Sequence, residues 1–269
     1  MKKAIYFSLL ALLITVGYSS CDKNDNFVPF FSIEDDKALG AQVSQEINND
    51  PQYKILSRSK YASSYQYLQG IVDDILNSGE VAYKDEFDWT LTILEDDNTL
   101  NAFATPGGYI YVYTGLIKYL DNVDALAGVM GHEIAHADLR HTSRNLQKQY
   151  GVSILLSILV GDNASQLEAI AAQIAGTAAG LQFSRAFETE SDIRSVEYLS
   201  KTGYACDGAK LFFQKLESQG QGSGTPQFLS THPSPENRIQ DITDKAMQEN
   251  CDTTLLANSG YSTFVQGLP

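Results

Sequence analysis

Apolar residues recur every three or four positions over most of this chain, and every second position over a short stretch nearer its start. Leu39, Val43 and Ile47 stand four apart, which puts them on one face of a helix. Ser32, with Asp35 three residues later, reads as a capping box that opens this helix, and Asp50-Pro51 closes it. A second helix is expected from about Tyr61 to Asn77, with Tyr67, Leu68, Ile71, Val72 and Ile75 on its apolar side. Between Trp89 and Leu94 the period changes to two, the mark of a half-buried strand. Residues 101–104 form a short strand segment. Pro106-Gly107-Gly108 is a hairpin turn, and Tyr109 to Tyr113 is rich in strand formers. These segments predict a small antiparallel sheet. From Asp121 the pattern is helical almost to the end. It includes an apolar run, Ile154 to Val160, and an alanine-rich helix from Ala169 to Leu181. Gly220, Gly222 and Gly224 then mark a flexible loop. The fold class is α+β, mainly α-helical.

The first residues follow another rule. Lys2 and Lys3 precede an apolar run from Ala4 to Val16, shorter than the ~20 residues that span a bilayer. Small residues then lead to Cys21. Residues 1–20 read as a lipoprotein signal peptide, cut before Cys21, whose sulfur then carries lipid. The other reading is a plain secretory signal with an incidental cysteine. Residues 21–32 read as a solvated tether, 33–258 as one folded domain and 259–269 as a C-terminal tail.

Composition narrows the chemistry. The chain has 269 residues and a formal charge of -14, which excludes nucleic acid as the main partner, because phosphate binding needs a basic face. Three cysteines are too few for a four-thiolate zinc site. Two of them, Cys206 and Cys251, remain after cleavage of the leader. In an oxidising compartment they form either a disulfide or two separate thiols, since sequence gives no distance.

Three of the four histidines lie within ten residues. His132-Glu133-Ile134-Ala135-His136 is an H-E-x-x-H sequence. On a helix, positions i and i+4 share a face, so two imidazoles can grip one Zn²⁺ there. Glu133 is offset beside the metal, where a general base for the attacking water belongs. Asp121 or Asn122 can cap this helix. Leu126, Ala127, Met130, Ile134 and Ala137 form a stripe that anchors in the core, with the two histidines roughly opposite. A catalytic zinc site needs a third ligand and one open position. His141 lies about 140° further round a continuous helix and cannot easily join the same face. Glu188 and Asp192 stand one turn apart on a later acidic helix. By spacing alone, they are either a ligand and the partner of a ligand histidine, or an exposed acidic face.

Several motifs occur in order. They are Asn101 to Gly108, the His132 to His136 pentapeptide followed by Arg140-His141, and Phe183-Ser184-Arg185 with Glu188 and Asp192. Gly203-Tyr204 and the Thr231 to Arg238 segment complete the set. Together they resemble metallopeptidase family forty-eight, gluzincins related to HtpX, BepA and the CAAX prenyl proteases, over about residues 35 to 245. The resemblance implies a zincin-like catalytic domain over 33–258 with an active-site H-E-x-x-H helix. It implies one Zn²⁺ per chain on His132, His136 and Glu188, and Glu133 as general base and proton shuttle. Ser191 departs from the alanine usual before the aspartate. In BepA-like relatives a loop histidine can fill the open metal position. His232 is therefore a latch, an oxyanion stabiliser or a plain hydrogen-bonding residue, with Arg238 anchoring its loop.

The implied activity is zinc-dependent hydrolysis of peptide bonds in misfolded or misassembled envelope proteins. An extended substrate would pair on an edge supplied by Tyr109–Tyr113 or by residues 101–104. The implied location is the envelope of a Gram-negative bacterium, with the membrane reached through lipid on Cys21. Two other classes remain. One is a zinc-holding envelope chaperone kept proteolytically silent by its latch. The other is a deformylase, which would need a cysteine ligand before the pentapeptide, where only Cys21 stands.

Overall fold

A computed structural model describes residues 30–176, 181–219, 227–233, 237–257 and 259–269. The leader, Cys21 and most of the tether lie outside the described residues, as do the glycine-rich loop and residues 234–236. In chain order the elements are α1 (Ile33–Asn49), α2 (Ala62–Leu76), β1 (Thr90–Leu94), β2 (Ala102–Thr105), β3 (Tyr109–Tyr113), α3 (Thr114–Tyr119) and α4 (Val123–Asp138). There follow α5 (His141–Tyr150), α6 (Val152–Leu159), α7 (Ala164–Ile174), α8 (Arg185–Leu199), α9 (Ala209–Gln219), α10 (Gln227–Thr231), α11 (Arg238–Glu249) and α12 (Tyr261–Gln266).

The capping box is present at α1. Ser32 Oγ accepts from Asp35 N at 3.1 Å, and the Asp35 carboxylate accepts from Ser32 N at 2.9 Å. The end of the expected tether is already part of the fold. Phe31 is buried, and the Arg140 guanidinium donates to its carbonyl and to Asp36.

The sheet is mixed rather than antiparallel. Its order is β1-β3-β2, with β2 antiparallel and β1 parallel to β3. The β2–β3 hairpin forms as expected through Pro106–Gly108, where Gly107 and Gly108 supply φ values of 75° and 87°. The linking residues 95–101 carry the chain past β1, so β3 inserts between the two strands and meets β1 in the same direction. Tyr109–Tyr113 is therefore a central strand, paired on both sides. β2 is an outer strand.

Helix α4 is the centre of the molecule. Asn122 caps it, its side chain accepting from Ala125 N at 2.9 Å. One face anchors in the core and the opposite one presents the histidines, and every residue from Val123 to Asp138 is buried. Helix α8 lies along the ligand face instead of solvent. Small residues permit this approach. Ser195 Oγ donates to Gly128 O at 2.9 Å, and a Cβ on Gly128 would stand 2.0 Å from the backbone nitrogen of Ala209 in α9. Cys206 and Cys251 form a disulfide that ties the segment before α9 to the end of α11. Residues 259–269, expected as a tail, instead carry α12, whose Phe264 stacks on Tyr67 of α2 at 4.4 Å. The alanine-rich helix ends at Ile174.

Candidate metal centre

α4 places His132 and His136 one turn apart, with their Nε2 atoms 3.0 Å from each other. α8 brings Glu188 to both: its Oε2 is 3.4 Å from His132 Nε2 and its Oε1 is 3.4 Å from His136 Nε2. His232, just after α10, completes a group of four. Its Nδ1 lies 3.4 Å from His132 Nε2 and 3.1 Å from Glu188 Oε1. All four residues are buried.

These spacings fit a cation. Four donors on bonds of about 2.0–2.1 Å around a tetrahedral ion stand roughly 3.3 Å apart. Nitrogen and carboxylate donors are also the set zinc accepts. A buried oxygen of Glu188, Oε2, accepts no hydrogen bond, as does Oε1 of Glu133. Glu188 Oε2 has the Arg238 charge 3.1 Å away, and a cation held by Glu188 would give it a coordinating partner as well.

Both histidines of α4 are oriented from behind. His132 Nδ1 meets Asp192 Oδ1 at 2.9 Å, which leaves Nε2 aimed into the group. Arg238 Nη2 donates to Asp192 Oδ1 at 2.8 Å and lies 3.1 Å from Glu188 Oε2, while its Nε is 2.6 Å from Asp192 Oδ2 in an ion pair. Its guanidinium rests 4.0 Å from the Phe213 ring centroid. Thus Arg238, placed by the sequence as a loop anchor, holds α8 from the start of α11.

His136 Nδ1 lies 3.1 Å from His141 Nδ1, and His141 Nε2 lies 3.1 Å from Glu190 Oε2. One tautomer assignment satisfies this chain, with His136 donating to His141 and His141 donating to Glu190. Ser191 Oγ lies 3.2 Å from the same His141 Nδ1, which gives this departure from the family pattern a partner. The imidazole of His141 stacks on Phe187 at 4.1 Å. Sequence reasoning set His141 aside because it continued α4 through residue 141. The helix in fact ends at Asp138, and Arg140, at φ 59°, turns the chain so that α5 starts at His141. A second residue it passed over is Asn101, fully buried before β2 with both amide atoms unpaired.

Burial and the Arg238 charge both oppose protonation of His132. Hydrogen bonds to Asp192 and Glu188 outweigh them and push its pKa up to about 9. Burial drives the pKa of His136 well below its usual value. Burial would also raise Glu188, but His232 and the hydrogen bonds from all three histidines hold its carboxyl well below the ordinary range. Burial raises the Glu133 carboxyl. Its Oε1 lies 3.6 Å from His232 Nε2.

The family model for peptidase family M48 matches residues 62–246. The beta-barrel assembly-enhancing protease of Escherichia coli is 34% identical over 165 residues, which are 58% of this chain and 34% of that protein. The mitochondrial metalloendopeptidase OMA1 of Schizosaccharomyces pombe is 27% identical over 214 residues, 78% of this chain and 61% of that protein. The corresponding metalloendopeptidase of Danio rerio is 29% identical over 166 residues, covering 57% and 34%. The chain thus spans about a third of the bacterial relative's length.

Proposed function

The chain belongs to peptidase family M48, and from that premise we propose that it is a zinc metalloendopeptidase with His132, His136 and Glu188 as ligands. The observation that carries this reading is the tetrahedral spacing of the donors beside a buried carboxylate, Glu133, whose Oε1 accepts no hydrogen bond. When bound, zinc supplies a Lewis acid that polarises the scissile carbonyl and acidifies water. Glu133 takes the proton of the attacking water and delivers it to the leaving amine. Its burial raises its proton affinity toward the range a shuttle needs. Asp192 and His141 fix the ligand tautomers.

Of the two edges considered for substrate, β3 is paired on both sides and β2 is the outer strand. Tyr113 N donates to Asn101 O, so residues 101, 103 and 105 face β3, while Ala102 and Ala104 turn their backbone groups outward. All four β2 residues are buried and Thr142 Oγ1 donates to Ala104 O at 3.3 Å, so an extended polypeptide would pair there only once this cover is displaced.

His232 fills the fourth corner of the group, which supports a latched resting state. Phe228, stacked on His232 at 4.3 Å, and the bond from Phe183 N to Thr231 O hold it in place. We further assign the chain to a Gram-negative envelope, lipid-anchored through Cys21, with misfolded or misassembled envelope proteins as substrates. This follows from the leader and from the bacterial relative's name. Against the deformylase reading, the candidate ligand set among the described residues contains no thiol.

The test is casein cleavage by the mature chain beside Glu133→Gln and His232→Ala, with zinc content measured on each. Glu133→Gln should retain about one zinc and lose at least ~100-fold in rate. His232→Ala should cleave faster than the parent if the latch reading holds. A cellular phenotype that survives Glu133→Gln would favour the chaperone reading instead.

A further inference from the structure

We propose that the exposed face of α6, together with Phe30, is a seat for the phospholipid bilayer, laid flat on the membrane surface. α6 is an apolar helix that the core covers on one side only. Leu155 and Ile158 are buried, whereas Leu156 is 43% and Val160 71% exposed, and both stand on the opposite face. The sequence holds no charged residue from Gln149 to Gly161, in a chain whose formal charge is -14. Elsewhere an acidic surface is repelled by anionic headgroups, so this uncharged corner is where a bilayer can approach.

The end of the described chain identifies the occupant. Phe30 is 79% exposed, and its backbone nitrogen donates to Gln147 Oε1 on α5 at 2.7 Å. Only Gly151 separates α5 from α6. Phe31 belongs to the same buried cluster as Leu155 and Ile158. The chain therefore enters the fold at the α5–α6 corner. Cys21 precedes Phe30 by nine residues, a reach of at most about 30 Å. A lipid on Cys21 would keep that corner close to the membrane, and this step rests on the lipid-anchor part of the proposed function.

The helix lies on the bilayer rather than crossing it. Among the described residues no single helix is long and apolar enough to span. α6 and α7 pass that test only as a pair bent by 108°. The buried side of α6 and a bond from the Gln42 amide to Leu159 O at 3.3 Å keep it against α1. A half-exposed, uncharged helix held this way has the geometry of an interfacial element.

The experiment uses the mature protein purified from membranes and placed in vesicles of phosphatidylethanolamine and phosphatidylglycerol. One fluorophore is attached to a cysteine introduced at Leu156, Val160 or Phe30, or at the exposed control Met247. Quenching by nitroxide-labelled lipid is read for each, while mass spectrometry of the N-terminal peptide reports the lipid on Cys21 separately. Quenching at 156, 160 and 30 should exceed that at 247 several-fold. Equal quenching at all four, with lipid present on Cys21, overturns the seat and leaves the anchor standing. If Cys21 carries no lipid, the anchor reading falls, and the seat stands only if added vesicles still quench 156 and 160. Leu156→Glu with Val160→Glu, both at exposed positions, should cut the quenching at residue 30 several-fold, and no change there overturns the proposal. A label at 156 shielded by dimerisation, with no lipid quenching, assigns the face to a second copy and also overturns it.

Discussion

Asp192 and His141 meet the Nδ1 atoms of His132 and His136, and in the proposed zinc site each would define which nitrogen faces the cation. A histidine that loses this partner can flip tautomer or rotate, so its cost appears in metal affinity before it appears in folding. Asp192→Ala should weaken zinc binding about 10–100-fold in a chelator competition. It also leaves Arg238 without its carboxylate. His141→Phe is the cleaner comparison, because a phenyl ring can keep the stack on Phe187 while removing the bond to His136. A similar loss is expected there, with the melting temperature little changed. Unaltered zinc affinity in both variants would mean that these bonds do not orient the ligands.

The pairing of α4 with α8 decides whether Glu188 reaches the histidines at all. α4 is held in place for this on its other side, by a backbone approach to α9 that a side chain would block. At Gly128 an added Cβ meets the backbone of Ala209 at 2.0 Å, and a backbone cannot swing aside as a side chain can. Gly128→Ala should therefore cost about 1–3 kcal/mol in urea unfolding, and zinc affinity should fall with it. Loss of neither would place the tolerance in α9. The same elements explain what could be read from sequence. The H-E-x-x-H pair is local, fixed by helical periodicity alone, as is the capping box of Ser32 and Asp35. Glu188 is more than fifty residues from His132, and its spacing from Asp192 fits an exposed helix equally well. Only the family resemblance brought it to the metal. His141 stays outside the group of donors, as expected, but its bond to His136 was not legible, because one left-handed residue, Arg140, changes the direction of the chain and a helical wheel assumes no such break. The strand order failed for a related reason. Local alternation identifies strands but carries no information on which neighbour each one meets.

Across the whole molecule, α11 must stay fastened to α8 for Arg238 to keep its grip on Asp192. Two devices hold it. The Cys206–Cys251 disulfide secures its C-terminal end. In its last turns Lys245 Nζ meets Glu197 Oε1 at 2.6 Å, and Arg194 bonds the other oxygen of the same carboxylate. Burial alone would raise the Glu197 carboxyl, but the bonds from Lys245 and Arg194 outweigh it and hold the pKa below its ordinary value. For a group depressed in the folded state, the stabilisation is present above the unfolded pKa and is lost as pH falls through the folded one. The clamp therefore works at neutral pH and fails in acid. The pair is partly exposed and screened, so Glu197→Gln should cost only about 0.5–1 kcal/mol at pH 7, or ~1–4 °C in melting temperature. As pH falls below the ordinary carboxylate range and then through the lower folded pKa, the parent carboxyl becomes neutral and resembles the amide, so the two melting curves should converge. No gap at pH 7 would show that α11 is held by the disulfide and apolar packing alone.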